Sequence, residues 1–211
     1  VISILQIGDS HIQAGFFPNE VRENLQREFG NAGRGLIVPL KLAGTNEPPD
    51  YAITSPNSWN RSNCITRAAT EEPGMSGMSI VTYDRHIELD IKTKEPFDRI
   101  WAFHHREAPL TVPDSLSDGI CCPALDNDEM TLIPLSRPVE QIRLCASVAD
   151  SSFAHSAFYG FSLENGRSGV LYHSFGINGN TYAAINRNPQ IVRQASGLCP
   201  DLVIVSLGTN D

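Results

Sequence analysis

Ile2-Ser3-Ile4-Leu5-Gln6-Ile7-Gly8-Asp9-Ser10-His11 is the stretch that sets the fold: a short, nearly continuous apolar run stops at a glycine and meets a carboxylate, a hydroxyl and an imidazole. A run of this length bounded by turn residues reads as a buried strand, which puts Ser10 at the mouth of that strand. The next segment carries Val21, Leu25 and Phe29 at four-residue spacing, with Pro18 near the first turn and Gly30 just past the last, and so predicts a helix over 18–29. Toward the other end, 169–175 reads as a strand, 181–198 as mainly helical with Asn188-Pro189 as an internal restart, and 202–207 as a second strand led in by Pro200-Asp201. Strand, helix, strand is the pattern that parallel crossover units require. In an open α/β sheet the carboxyl ends of parallel strands line the ligand crevice. The polar cluster Gly208-Thr209-Asn210-Asp211 is therefore expected to meet Ser10 at one site.

Between these ends the texture changes. Short runs rich in Val, Ile, Tyr, Phe and Trp, separated by Pro, Gly, Asn and Asp, recur at 79–83, 87–92, 99–104, 130–134, 141–147 and 157–163. That is the signature of an all-β sandwich. The expected organisation is an α/β core made of 1–39 and 169–211, interrupted by an inserted β-sandwich at 40–168. Such an insertion is mild thermodynamically when the inserted domain's ends lie close together.

The 211 residues carry a formal net charge of −8, which argues against a nucleic-acid or anionic-membrane surface, since both want clustered Lys and Arg. No apolar run approaches the roughly 18 residues of a membrane span. No signal-peptide pattern precedes the first strand, and because the chain begins almost inside that strand this says little about location. Five cysteines, Cys64, Cys121, Cys122, Cys145 and Cys199, show no Cys-x-x-Cys or Cys/His zinc spacing. Most read as small buried hydrophobes. The doublet His104-His105 alternates faces on a strand and is too small a ligand set for a metal, so neither a metal nor a cofactor is expected. Trp59, Trp101, Tyr83 and Tyr159 read mainly as core, with a sugar-stacking platform as the alternative.

Ester or amide hydrolysis needs a nucleophile, a base and donors aimed at the oxyanion. Ser10 offers the nucleophile and, through its backbone N–H at the start of the following turn, one donor. Gly179, in Gly176-Ile177-Asn178-Gly179-Asn180-Thr181, offers a second backbone N–H that a substrate can approach closely. The side-chain amide of Asn210 offers a third. Asp9, His11 and Asp211 are supporting residues: Asp211 in a structural hydrogen bond, His11 in local packing or substrate contact.

With Gly8-Asp9-Ser10 as serine block, Gly179 as glycine block and Gly208-Thr209-Asn210-Asp211 as asparagine block, the chain resembles the SGNH (GDSL-type) hydrolase superfamily. Segments 7–13, 29–35 and 200–210 are similar to bacterial peptidoglycan O-acetylesterases and related carbohydrate esterases with an inserted β-sandwich. The resemblance implies a flavodoxin-like three-layer α/β/α core, truncated here, and a serine esterase that removes acetyl or other small acyl groups. The implied substrate is an acylated polysaccharide or peptidoglycan, and the implied location is periplasmic, outer-surface or secreted. His11 stands where many of these enzymes have leucine, which fits the carbohydrate-esterase group and weakens a lipase reading. The superfamily's catalytic base is a histidine in a C-terminal Asp-x-x-His block, and no such block occurs among the 211 residues. The chain is accordingly expected to be the N-terminal part of a longer protein. The rival reading is a non-catalytic glycan-binding protein or pseudoenzyme fragment. A flavodoxin-like nucleotide binder fares worse, because Gly8-Asp9-Ser10-His11 is no glycine-rich phosphate cradle.

Overall fold

The computed structural model describes residues 1–65, 72–105, 110–117, 122–123 (backbone only), 129–150 and 152–211. In chain order the elements are β1 (Ile2–Gly8), α1 (Ser10–Gln13), α2 (Phe16–Phe29), β2 (Gly35–Ile37), β3 (Tyr51–Thr54), β4 (Asn60–Asn63), β5 (Met78–Thr82) and β6 (His86–His104). They continue with β7 (Cys122–Pro123), β8 (Met130–Ser147), β9 (Ser156–Glu164), β10 (Val170–Gly176), α3 (Tyr182–Asn186), α4 (Gln190–Ser196) and β11 (Leu202–Ser206). The strands form a three-stranded sheet in the order β10-β1-β11 and an eight-stranded sheet holding all the others.

The small sheet is parallel throughout, with Ile4 opposite both Tyr172 and Leu202. Alternate side chains of β1 serve its two faces, as the pleat demands. Ile4 joins Val170 and Tyr172 in a cluster against Val21 and Leu25 of α2, whereas Leu5 and Ile7 belong to the large core shared with the eight-stranded sheet, α3 and α4. Val21 and Leu25 keep the four-residue spacing read from the sequence, whereas Phe29, the third member of that stripe, is exposed. Gln6 is buried among apolar neighbours, but its amide donates to Ser206 Oγ at 3.0 Å and its carbonyl accepts from Tyr172 Oη at 2.8 Å. A satisfied polar row of this kind costs little and fixes the three strands in register.

The eight-stranded sheet is antiparallel. Hydrogen bonds join all eight strands into one network, in which β2 pairs with β9 and β3 with β6 off the main path. The separate runs at 87–92 and 99–104 are parts of a single 19-residue strand, β6, and those at 130–134 and 141–147 are parts of the 18-residue β8. Prolines caused the misreading. Pro96 lies inside the register shift between Lys92 and Phe97, where a bulge spares the ladder the N–H that proline lacks. Likewise β2 lies ahead of residue 40 yet pairs with β9 of the large sheet. Strands dominate the described residues, so the three-layer α/β/α reading is represented only by the small sheet and its few helices.

A buried charged cluster joins the two sheets. Asp50, before β3, takes Arg34 Nε at 2.7 Å, Arg22 Nη2 at 3.1 Å and Asn19 Nδ2 at 3.0 Å. Arg22 and Asn19 stand on α2, and Arg34 also donates to Leu36 O at 2.9 Å on β2. Burial opposes ionisation of Asp50, yet the two guanidiniums hold its carboxyl below the usual carboxylate range. On β10, His173 accepts the Leu36 N–H through Nδ1 at 3.1 Å, a second polar link across the same seam.

Candidate active site

The serine loop is shaped by its neighbours. Asp9 is the N-cap of α1, and its carboxylate, 2% exposed, accepts His11 N at 2.9 Å and faces the His11 ring Nδ1 at 2.9 Å. Burial alone would raise the Asp9 pKa. Hydrogen bonds from the His11 backbone and ring and from the Thr209 side chain outweigh it and leave the carboxyl below its ordinary range. Ser10, the first residue of α1, is exposed, and neither its hydroxyl nor its backbone N–H has a hydrogen-bond partner among the described residues. The His11 side chain is 71% exposed, so packing is not its role.

The glycine loop follows β10. Its close approach to the serine loop depends on Gly176, where a Cβ would lie 2.2 Å from Asp9 O and 2.5 Å from Gln13 N. Gly179 sits at φ +79°, in the left-handed region that side chains rarely adopt. It is exposed, and its N–H has no acceptor among the described residues. The asparagine loop follows β11. Asn210 Nδ2 donates to Asn180 O at 3.0 Å, and Asp211 Oδ1 accepts Tyr182 N at 2.9 Å. An amide nitrogen carries two donors, so one N–H of Asn210 is engaged and the other is spare.

The three loops are thus tied together by three remote contacts: Thr209 to Asp9, Asn210 to Asn180, and Asn180 Nδ2 to Gly8 O at 3.0 Å. Asn180 is fully buried and is the hub of this arrangement. Sequence reading passed over it, although it stands beside Gly179. Gln13 is a second omission: its side chain holds Thr45 Oγ1 at 2.8 Å and accepts Asn178 N at 2.8 Å, fastening the turn after β2 to the glycine loop. Cys64 lies near Asn180, and burial pushes its thiol up to about 11, so it stays protonated at neutral pH.

Other expectations divide. Cys64 is buried as expected, but Cys199 is exposed, because the turn that places it before Pro200 and β11 gives it φ +45° and faces solvent. Cys121 and the side chain of Cys122 lie outside the described residues. His104 is buried, with its ring nitrogens against His105 O and Thr131 Oγ1. Tyr159 is core, whereas Tyr83 is 61% exposed and Trp59 is half-buried. No helix among the described residues is long and apolar enough to cross a membrane.

No protein-family model matches the chain, and no curated protein matches it. Among solved structures it is similar to a peptidoglycan O-acetylesterase, with a TM-score of 0.73 and 19% identity, over 100% of this chain and 57% of that one. The chain has an esterase-like fold and spans a little over half the length of that protein. A human F-spondin reeler domain aligns at a TM-score of 0.31 and 7% identity, over 61% of this chain and 83% of that one, too slight a likeness to carry an argument.

Proposed function

We propose that this protein is a serine esterase of SGNH type that removes O-acetyl or other small acyl groups from a polysaccharide or peptidoglycan. The observation that carries the reading is the meeting of three loops, remote in sequence, at the carboxyl ends of three adjacent parallel strands, with a hydroxyl and two backbone N–H groups that have no partner among the described residues. In this reading Ser10 Oγ attacks the ester carbonyl carbon as a base takes its proton. The carbonyl oxygen becomes an oxyanion received by the N–H groups of Ser10 and Gly179 and the spare N–H of Asn210. Collapse breaks the bond to the sugar oxygen, which leaves with a proton as a hydroxyl, and water then frees the acyl group from Ser10 by the same steps. Asp9, through its cap on α1, and Asp211, through Tyr182, position the serine and asparagine loops, while His11 stands exposed at the mouth as a group for substrate contact. The base takes no residue number: the superfamily's Asp-x-x-His block has no match in the 211 residues. Because the proposed substrate is a cell-wall or other extracellular glycan, the proposal includes export.

The test is aryl acetate hydrolysis by the complete gene product. Ser10→Ala is expected to lower kcat by about a thousandfold or more, and Asn210→Ala by about 100- to 1,000-fold, the usual cost of one oxyanion donor. Full turnover in Ser10→Ala overturns the assignment. Glycan binding with no turnover in the wild type favours the non-catalytic reading.

A further inference from the structure

The turn after β2 leads from the candidate site to a second concavity. Thr45 and Asn46 accept hydrogen bonds from Asn178, next to Gly179, at 3.3 and 3.1 Å. Two residues earlier, Gly44 O and Ala43 O take Arg61 Nη1 at 3.3 and 3.1 Å. Two residues of chain span at most about 7–8 Å, so Arg61 and Asn178 are fastened to neighbouring residues of one turn. Beyond it opens a groove of about 560 Å³ lined by Leu42, Gly44, Trp59, Asn60, Arg61 and Tyr83.

The chemistry of this lining is specific. Tyr83 is exposed, although large aromatics usually find cover, whereas the Trp59 ring is half-buried, with its indole N–H inside and the ring packed against Phe158. Aromatic rings beside an amide and a cation suit a ligand with an apolar face, hydroxyls and an anionic group. Arg61 Nε and Nη2 have no partner among the described residues, and their fork matches a carboxylate. Among the described residues no acidic side chain lines the groove, in a chain of net charge −8. The nearest in sequence, Asp84, is turned to Asn57 Nδ2 at 3.0 Å and Ser58 N at 3.3 Å.

We propose that this groove is a subsite for a carboxylate-bearing sugar of the same glycan chain whose ester is presented to Ser10. Tyr83 and Trp59 cover the sugar faces and Arg61 takes the carboxylate. The ligand class rests on the glycan-esterase reading above, but the site's chemistry does not depend on turnover.

The experiment is calorimetric titration of the protein with trigalacturonate, which carries carboxylates, and with chitotriose, which carries none. Trigalacturonate is expected to bind more tightly. Arg61→Gln should weaken trigalacturonate roughly tenfold and leave chitotriose unchanged, while Arg61→Lys, which keeps the charge but loses the fork, should recover part of the loss. Tyr83→Ala should weaken both sugars. Both positions are exposed, and unchanged circular dichroism and melting confirm that the variants fold. Trigalacturonate binding that ignores Arg61→Gln, a preference for chitotriose, or no binding of either sugar overturns the subsite. Loss of aryl acetate turnover with this binding pattern intact counts against the esterase reading alone; normal turnover without sugar binding removes the subsite alone.

Discussion

Strands β10 and β11 flank the same central strand in the same direction, and they could hardly be clothed more differently. Val170, Leu171, Tyr172, His173 and Phe175 on β10 are all nearly inaccessible, while Leu202, Val203 and Val205 on β11 are each about half exposed. Composition does not explain this, since both are apolar runs. What differs is the cover among the described residues: α2 lies on one face of β10 and the large sheet meets the other, whereas β11 is the outer of the three described strands. The candidate site straddles the contrast, with Gly179 following the clothed strand and Asn210 following the bare one. Among the described residues the asparagine loop is held by the stitches from Thr209, Asn210 and Asp211.

The cover on β10 is most directly broken at Asp50. Asp50→Ala would leave the buried guanidiniums of Arg22 and Arg34 without their shared carboxylate, and α2 would lose its tie to β2. Removing one partner of a buried charge cluster typically costs about 3–5 kcal/mol. Urea denaturation is expected to show a loss of that size. A loss below about 1 kcal/mol would mean that apolar contacts alone hold α2 and β2 over β10.

A smaller, graded effect comes from His173. Burial, reinforced by Arg34, pushes its pKa down to about 3, and its Nδ1 must stay unprotonated to accept the Leu36 N–H. In the unfolded chain the same imidazole titrates near 6.5. Because the folded value is the depressed one, the stabilisation is complete above about pH 6.5 and falls as pH drops toward 3. The slope is up to about 1.4 kcal/mol per pH unit. Between pH 6.5 and 4.5, above the range in which the depressed carboxyls Asp9 and Asp50 titrate, His173→Gln should flatten this decline, since glutamine offers an acceptor that does not titrate. A variant with an unchanged pH profile would assign the decline to another group.

The same contrast explains what could be read from the sequence. Strands β1, β10 and β11, the helix α2 and the helical break at Asn188-Pro189 were legible because apolar runs and four-residue spacing are local signals. The three loops that follow these strands were legible for the same reason, because they fall where apolar runs end. The fusion of runs into β6 and β8 was hidden, because Pro96, Pro134 and Pro138 look like breaks unless the bulge and the pairing partner are known. Strand β4, Asn60-Arg61-Ser62-Asn63, has no apolar residue at all and exists because β5 pairs with it. Nor did any local signal reveal Asn180 as the hub, the Thr209 bond to Asp9, or which of the apolar strands would be left bare.

The last test asks whether the bare strand matters to the fold at all. Val203 pairs with Leu5 on β1, and its side chain is half in water. A lysine there can lay its methylene stem over the same surface and keep its charge in solvent, so Val203→Lys should change stability by no more than about 0.5 kcal/mol. Its effect belongs to association instead. In the 211-residue chain β11 is the outer strand of its sheet, and lysine on such an edge opposes pairing with another chain. Sedimentation over a concentration series is therefore expected to show weaker self-association in the variant at unchanged denaturation midpoint. A large fall in that midpoint would mean that β11 is packed as firmly as β10, and that Asn210 stands on a wall as rigid as the one behind Gly179.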